Sequence, residues 1–130
     1  IEALSRGAKS AVFVDMRRDA CDIVRENLTK TRLLERAQIV RSDFQTYLKT
    51  CRQTFDLVFL DPPYAEKFLE NAMFLISEID ILSDSGIIIC EHPVEKQLPE
   101  TFGRLRRERA YHYGRAAVAL YRKSVPESIV

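Results

Sequence analysis

The sequence predicts an α/β protein, a mostly parallel sheet covered by helices and closed by a C-terminal antiparallel hairpin. Three observations predict it. Short β-branched runs alternate with segments of helical period as far as Pro99, the pattern of strand and crossover helix. Acidic residues stand at or just after the ends of the first three strand-like runs, as Asp15, Asp43 and Asp61. Beyond Pro99, the runs Gly103 to Tyr113 and Ala116 to Tyr121 are joined only by Gly114-Arg115, which reads as a hairpin.

Ile1 to Ala8 reads as the end of a helix with Gly7 as its terminating residue, so the chain opens inside an element. Ala11-Val12-Phe13-Val14-Asp15 is a buried strand. From Asp19 to about Arg32, a helix is predicted to place Ala20, Ile23, Val24, Asn27 and Leu28 on one face. Ala37 to Arg41 is the next strand, and Ser42 or Asp43 can cap a short helix through Cys51. The near-continuous apolarity of Phe55 to Leu60 predicts a strand covered on both faces. A helix from Ala65 to Ile79 carries an inward stripe of Phe68, Leu69, Ala72, Met73, Leu75 and Ile76. Asp84-Ser85-Gly86 is expected as a turn before the strand Ile87 to Cys90. Residues 1–124 are expected to form one domain and 125–130 a frayed tail, with no internal repeat.

At 130 residues the chain is long enough to bury roughly two-thirds of its unfolded surface without disulfides or metal. A net charge of +1 leaves any nucleic-acid affinity to local clustering of Lys and Arg. Cys21, Cys51 and Cys90 are odd in number and lack CxxC spacing, which suits buried thiols in a reducing compartment and makes the cytoplasm the expected location. His92 and His112 lack metal-ligand spacing with any Cys or Asp, so no metal is expected. No apolar stretch approaches the roughly 18 residues of a membrane span. A monomer is expected.

The residues that carry chemistry cluster at the carboxyl ends of strands, where open α/β sheets bind ligands. Asp15 is a candidate partner for ribose hydroxyls, with Met16 beside it, and its alternative is a cap for the turn that follows. Asp43 can accept from an adenine amino group while Phe44 packs against the base, or it can cap its own helix. Asp61-Pro62-Pro63-Tyr64 follows its strand directly. A proline at the start of a helix is ordinary, but that accounts for one proline and not for the quartet. Consecutive prolines fix φ and hold the preceding residue extended, so the Asp61 carboxylate and Pro62 carbonyl form a rigid acceptor pair for the two hydrogens of a planar amine. Such a pair stabilises the positive charge that develops as the nitrogen attacks an electrophile, and Tyr64 can stack on the base.

These residues resemble the Asp/Asn-Pro-Pro-aromatic amino-methyltransferases. The wider string, namely Ile1 to Ala8, Phe55 to Tyr64, Glu91-His92 after the next strand and Tyr113-Gly114, is similar to the RsmD-type small-subunit (16S) rRNA guanine-N2 methyltransferases, from Ile1 to about Lys123. The resemblance implies a Rossmann-like sheet, S-adenosylmethionine as cofactor and small-subunit rRNA or the ribosomal subunit as partner. It implies catalytic roles for Asp61, Pro62, Pro63 and Tyr64, and cofactor contacts from Asp15, Met16, Asp43 and Phe44. It also implies that a Gly-rich loop and the central first strand precede Ile1 in the family, so that the chain is N-terminally truncated and the activity belongs to the complete protein. Two other readings stand beside this one: a DNA adenine or cytosine amino-methyltransferase, and a non-catalytic RNA-binding module of the same fold.

Arg104, Arg106, Arg107, Arg109, Arg115, Arg122 and Lys123 cluster in the closing hairpin. Strand alternation predicts Arg104 and Arg106 on one face and Arg107 and Arg109 on the other. They can be solvated edge residues that block aggregation or, with Arg17, Arg18, Tyr111, His112 and Tyr113, a phosphate and stacking surface for RNA. Glu91 and His92 can shape the base site or serve a turn before Pro93.

Overall fold

The computed structural model describes residues 1–60 and 68–124, and for Phe68 the backbone alone. It divides into two compact units, Ile1–Thr50 and Cys51–Val130.

In the first unit a short helix α1 (Glu2–Ser5) leads to β1 (Ala11–Asp15), α2 (Arg18–Lys30), a 3₁₀ turn (Leu34–Arg36), β2 (Ala37–Arg41) and α3 (Phe44–Thr50). Gly7 takes φ +114°, the backbone that ends α1 as expected. The Arg36 guanidinium donates to the carbonyls of Leu4 at 3.0 Å, Lys9 at 3.4 Å and Ala8, placing a cation beside the carboxyl end of α1 and the turn that follows it. Strands β1 and β2 pair in parallel from Ala11↔Ala37 to Asp15↔Arg41, so their carboxyl ends finish level.

Helix α2 stops at Lys30 because Arg32 adopts φ +60°. Arg32 N–H then donates to Thr29 at 3.2 Å and Leu33 N–H to Leu28 at 2.9 Å, the paired reverse bonds of a Schellman ending. Of the face expected to turn inward, Leu28 is buried and Ala20 and Val24 are half-buried, but the face is rotated toward Cys21. Cys21 and Leu28 are buried, whereas Asn27 is exposed and Ile23 is 56 % exposed. At 3.6 residues per turn, Ile23 lies about 160° round the axis from Cys21 and cannot share its face.

The second unit is a five-stranded sheet in the order β3-β4-β7-β6-β5. It comprises β3 (Phe55–Leu60), β4 (Leu82–Pro93), β5 (Thr101–Phe102), β6 (Leu105–Tyr113) and β7 (Ala116–Lys123), with α4 (Phe68–Glu78) between β3 and β4. Strands β3 and β4 are parallel, and the remaining pairs are antiparallel. The hairpin turn falls at Gly114, whose φ is +60°. Gly103 is not in a strand as expected. It takes φ +55° in a tight turn that folds the two-residue β5 onto β6.

Two expectations about β4 are corrected. The strand begins at Leu82 and passes through Asp84-Ser85-Gly86 instead of starting after it. The turn-forming residues do have an effect, because the β3 pairing jumps from Phe55↔Leu82 to Leu57↔Ile87 across them. A side chain at Gly86 would meet Leu82 Cδ1 at 2.5 Å, so glycine permits the close approach. Ser83 Oγ donates to the Asp56 carboxylate at 2.7 Å beside the irregularity. At the other end, Glu91 and His92 pair with Val118 and Ala117 inside the ladder and form no turn.

One face of the sheet carries Ile88, Cys90, Ala117, Ala119 and Tyr121, all buried. Helix α4 covers it with Leu69, Ala72, Met73 and Ile76, each buried, and Cys90 Sγ lies 3.4 Å from Met73 Sδ. Leu75 of the expected stripe is half-buried. The opposite face is uncovered at β3, contrary to expectation, with Leu57 39 % and Phe59 62 % exposed. Among the described residues α4 packs on the other side, so the apolar run of β3 has cover on one face only.

Candidate functional site

The carboxyl ends of β1 and β2 bring Asp15 and Asp43 to one edge of the parallel pair. Ser42 N–H donates to the Asp15 carbonyl at 3.0 Å, extending the ladder past Arg41. The Asp15 Oδ1 accepts the Arg17 N–H at 2.9 Å, turning the chain into α2 as an Asx turn does. Its backbone carbonyl also accepts from the Cys21 thiol at 3.6 Å. Among the described residues Asp15 Oδ2 has no hydrogen-bond partner, and the side chain is 44 % exposed. Thus the turn reading of Asp15 is met by one oxygen, while the other is open to a hydroxyl donor. Met16, next in sequence, is among the exposed large apolar side chains. Its carbonyl accepts from Arg41 Nε at 3.4 Å.

Asp43 caps α3. Oδ1 accepts the Thr46 N–H and Oδ2 the Thr46 hydroxyl, both at 2.8 Å. This is the N3 contact that satisfies an orphan donor of the first turn. The same N–H first, and the hydroxyl second, hold the Asp43 carboxyl below the ordinary carboxylate range. Each oxygen keeps a lone pair, so capping does not exhaust its acceptor capacity. Phe44 opens the helix and is half-buried.

Asp61, Pro62, Pro63 and Tyr64 lie outside the described residues. The strand that leads to them ends at Leu60. At the carboxyl end of β4, Glu91 is exposed, and His92 is buried with Nδ1 2.9 Å from the Pro93 carbonyl.

Two buried groups are chemically quiet. Burial pushes the Cys90 thiol up to about 12, and burial with the neighbouring Cys90 pushes the Tyr121 phenol up to about 12. Among the described residues no group of three or more His, Cys, Asp or Glu is placed to hold a metal ion, and no helix is long and apolar enough to cross a membrane.

In the hairpin the expected split of Arg106 from Arg107 holds, but Arg109 does not share the face of Arg107. The β6 to β7 register shifts between Arg107 and Arg109. Arg106 therefore stands opposite Arg122, and Arg109 opposite Leu120. Arg122 and Leu120 are two residues apart, so Arg106 and Arg109 share a face, and Arg107, opposite Tyr121, lies on the other. The extra residue, Glu108, is ion-paired with Arg122. A groove of about 210 Å³ on this outer face is lined by Ile87, Glu108, Arg109, Tyr111, Leu120 and Arg122. The only sequence sign of the bulge is the like-charged run Arg106-Arg107-Glu108-Arg109, which does not by itself specify a register.

Residues 1–122 match the family model described as "Conserved hypothetical protein 95". The chain is 42 % identical over 126 residues to "Putative rRNA methyltransferase YlbH" of Bacillus subtilis (strain 168), covering 95 % of this chain and 68 % of that protein. It is 30 % identical over 123 residues to "Ribosomal RNA small subunit methyltransferase D" of Escherichia coli (strain K12), covering 95 % and 62 %. The chain thus spans about two-thirds of the length of these relatives. Its fold superposes on the solved structure "Putative methyltransferase yhhF from Escherichia coli" with a TM-score of 0.85 at 29 % identity, over 95 % of this chain and 70 % of that one. The architecture is accordingly a Rossmann-like methyltransferase fold, and the chain belongs to the Conserved hypothetical protein 95 family, that of the RsmD-type methyltransferases.

Proposed function

We propose that the complete protein transfers a methyl group from S-adenosylmethionine to the exocyclic amino group of a guanine in small-subunit rRNA. The observation that carries this reading is the position of Asp61-Pro62-Pro63-Tyr64 in the chain, directly after the last residue of a parallel strand, β3, in a family whose members are named for rRNA methylation.

The residues at the ends of β1 and β2 fit the cofactor. Asp15 retains one open carboxylate oxygen for a ribose hydroxyl. Met16 offers an exposed thioether side chain to an apolar ring. Asp43 keeps acceptor capacity beyond its cap, with Phe44 adjoining. Bound S-adenosylmethionine supplies an electrophilic methyl carbon. The rest is the work of the chain. The amine is a weak nucleophile because its lone pair is delocalised into the base. The Asp61 carboxylate and the Pro62 carbonyl accept its two hydrogens and favour a pyramidal nitrogen, and the carboxylate stabilises the positive charge that grows as the new N–C bond replaces the donor's S–C bond, the surplus proton on nitrogen then passing to solvent. Tyr64 stacks on the base and holds it in line, a positioning effect that needs no covalent enzyme intermediate.

The test is labelled-methyl transfer by the full-length protein to undermethylated ribosomal subunits, with naked DNA in parallel. Label recovered as N2-methylguanosine in small-subunit rRNA is the expected result, and label in DNA or in another base overturns the reading. The Asp61→Ala variant should lose about 10²-fold or more in turnover. Wild-type turnover in that variant removes Asp61 from the mechanism.

A further inference from the structure

We propose that the outer face of β6, with Tyr111 and Tyr113 as stacking platforms and Arg106 and Arg109 as phosphate contacts, binds a single-stranded stretch of RNA. This deepens the reading above, on which it rests for the class of partner.

The face is defined by the ladder. Tyr111 pairs with Val118 and Tyr113 with Ala116, both out of phase with the buried Ala117, Ala119 and Tyr121. The two tyrosines therefore project on the side away from α4, two residues apart, and they are 39 % and 64 % exposed. Arg109 shares this side with the tyrosines by simple alternation, and the bulge at Glu108 brings Arg106 onto it as well, where an unbroken strand would have turned Arg106 to the other. Arg109 donates to the Tyr111 hydroxyl at 3.3 Å, and among the described residues it has no carboxylate partner. Arg106 has only Glu100, at a loose 3.8 Å. Arg122 is by contrast spent on Glu108.

Solvation of an edge accounts for arginines but not for tyrosines. Charged side chains on an outer strand discourage pairing with another chain, whereas two exposed rings in line on one face add apolar surface that water does not favour. Rings at strand spacing flanked by guanidinium groups without a close carboxylate partner match what single-stranded RNA presents, namely bases with a π-face and a phosphate on every residue.

The sheet also aims the track. Leu60, Cys90, Ala119 and Ala110 form one row across β3, β4, β7 and β6. Tyr111 and Tyr113 lie beyond that row, alongside Glu91 and Pro93, toward the carboxyl ends of β3 and β4. Leu60 immediately precedes Asp61. Three interstrand spacings of about 4.8 Å separate β3 from β6, a distance that a short run of unstacked nucleotides covers. Nucleotides flanking a base held at the end of β3 would lie on the tyrosines.

The experiment needs neither cofactor nor turnover, so its outcome is independent of the methyl-transfer test. Binding of a short fluorescein-labelled oligouridylate to the full-length protein is followed by anisotropy, with a matched RNA duplex and the oligothymidylate as comparisons. Quenching of tyrosine emission that is present in the wild type and lost in the double variant Tyr111→Ala/Tyr113→Ala reports stacking on these two rings. The single strand should bind more tightly than the duplex. The double variant Tyr111→Ala/Tyr113→Ala should bind about tenfold or more weakly, while Tyr111→Phe/Tyr113→Phe stays within about threefold of wild type, because stacking needs the ring and not the hydroxyl. Arg109→Gln should lower the slope of log affinity against log salt by about 0.7, the value for one phosphate contact on a single strand. An alanine pair that folds and binds like wild type overturns the proposal, as does an unchanged salt slope in Arg109→Gln or a preference for the oligothymidylate. Should the alanine pair fail to fold, Arg109→Gln and the phenylalanine pair still decide the question.

Discussion

The Tyr121 hydroxyl donates to the Pro99 carbonyl at 2.7 Å, tying the central strand β7 to the loop that enters the hairpin. The ring is fully buried and meets Phe102 edge-on, with centroids 5.5 Å apart. Tyr121→Phe keeps the ring and removes the donor, so the carbonyl of the exposed Pro99 loses its protein partner. We expect a loss of about 0.5–1.5 kcal/mol in unfolding free energy by urea titration. An unchanged midpoint would mean that water reaches the Pro99 carbonyl.

Arg32 holds a left-handed backbone at the end of α2 without being glycine. An L side chain there costs roughly 1–2 kcal/mol relative to the right-handed region, and glycine avoids it. Arg32→Gly should therefore raise stability, offset in part by the greater freedom of glycine in the unfolded chain, for a net gain of several tenths to about 1 kcal/mol. A lower thermal midpoint in this variant would show that the arginine side chain contributes more than its backbone costs.

Alkaline pH should weaken the second unit. In the unfolded chain the Cys90 thiol ionises near its ordinary value of 9.0, and in the folded protein burial moves it to about 12. Between these values the unfolded state binds fewer protons than the folded state, so unfolding becomes easier as pH rises. The Tyr121 phenol, moved from 10.0 to about 12, acts in the same direction. Stability is thus fully present below about pH 9 and declines above it, and Cys90→Ala should flatten the early part of the decline. Urea midpoints that stay level between pH 8 and 11 would contradict this.

Asp15 is proposed to hold the cofactor through a hydroxyl contact, and it also shapes the turn into α2. Asp15→Asn separates the roles, because the amide oxygen can still accept the Arg17 N–H while the charge is lost. Calorimetry with S-adenosylmethionine on the full-length protein should show binding weakened by about 1.5–3 kcal/mol, with circular dichroism unchanged. Equal affinity in the variant and the wild type would defeat the assignment.

Much of this protein was legible in local pattern alone. Ala11–Asp15, Ala37–Arg41 and Phe55–Leu60 are strands at the expected residues, because a short apolar run bounded by charge or turn residues has few other ways to bury itself. Leu69, Ala72, Met73 and Ile76 face inward as their helical spacing requires. Asp15 and Asp43 were recognisable as strand-end acids, and both alternative capping roles could be read from the residues that follow them. The tertiary structure decided what spacing cannot. Whether Asp84-Ser85-Gly86 is a turn before a strand or an irregularity within one depends on pairing with Phe55 and Leu57, far away in the chain. Which arginines share a face of β6 depends on one extra residue opposite β7. The outward turn of Ile23 and the bare face of β3 depend on which neighbours supply cover. Periodicity is a property of one segment, whereas register and burial belong to pairs of segments, and only the folded sheet specifies them.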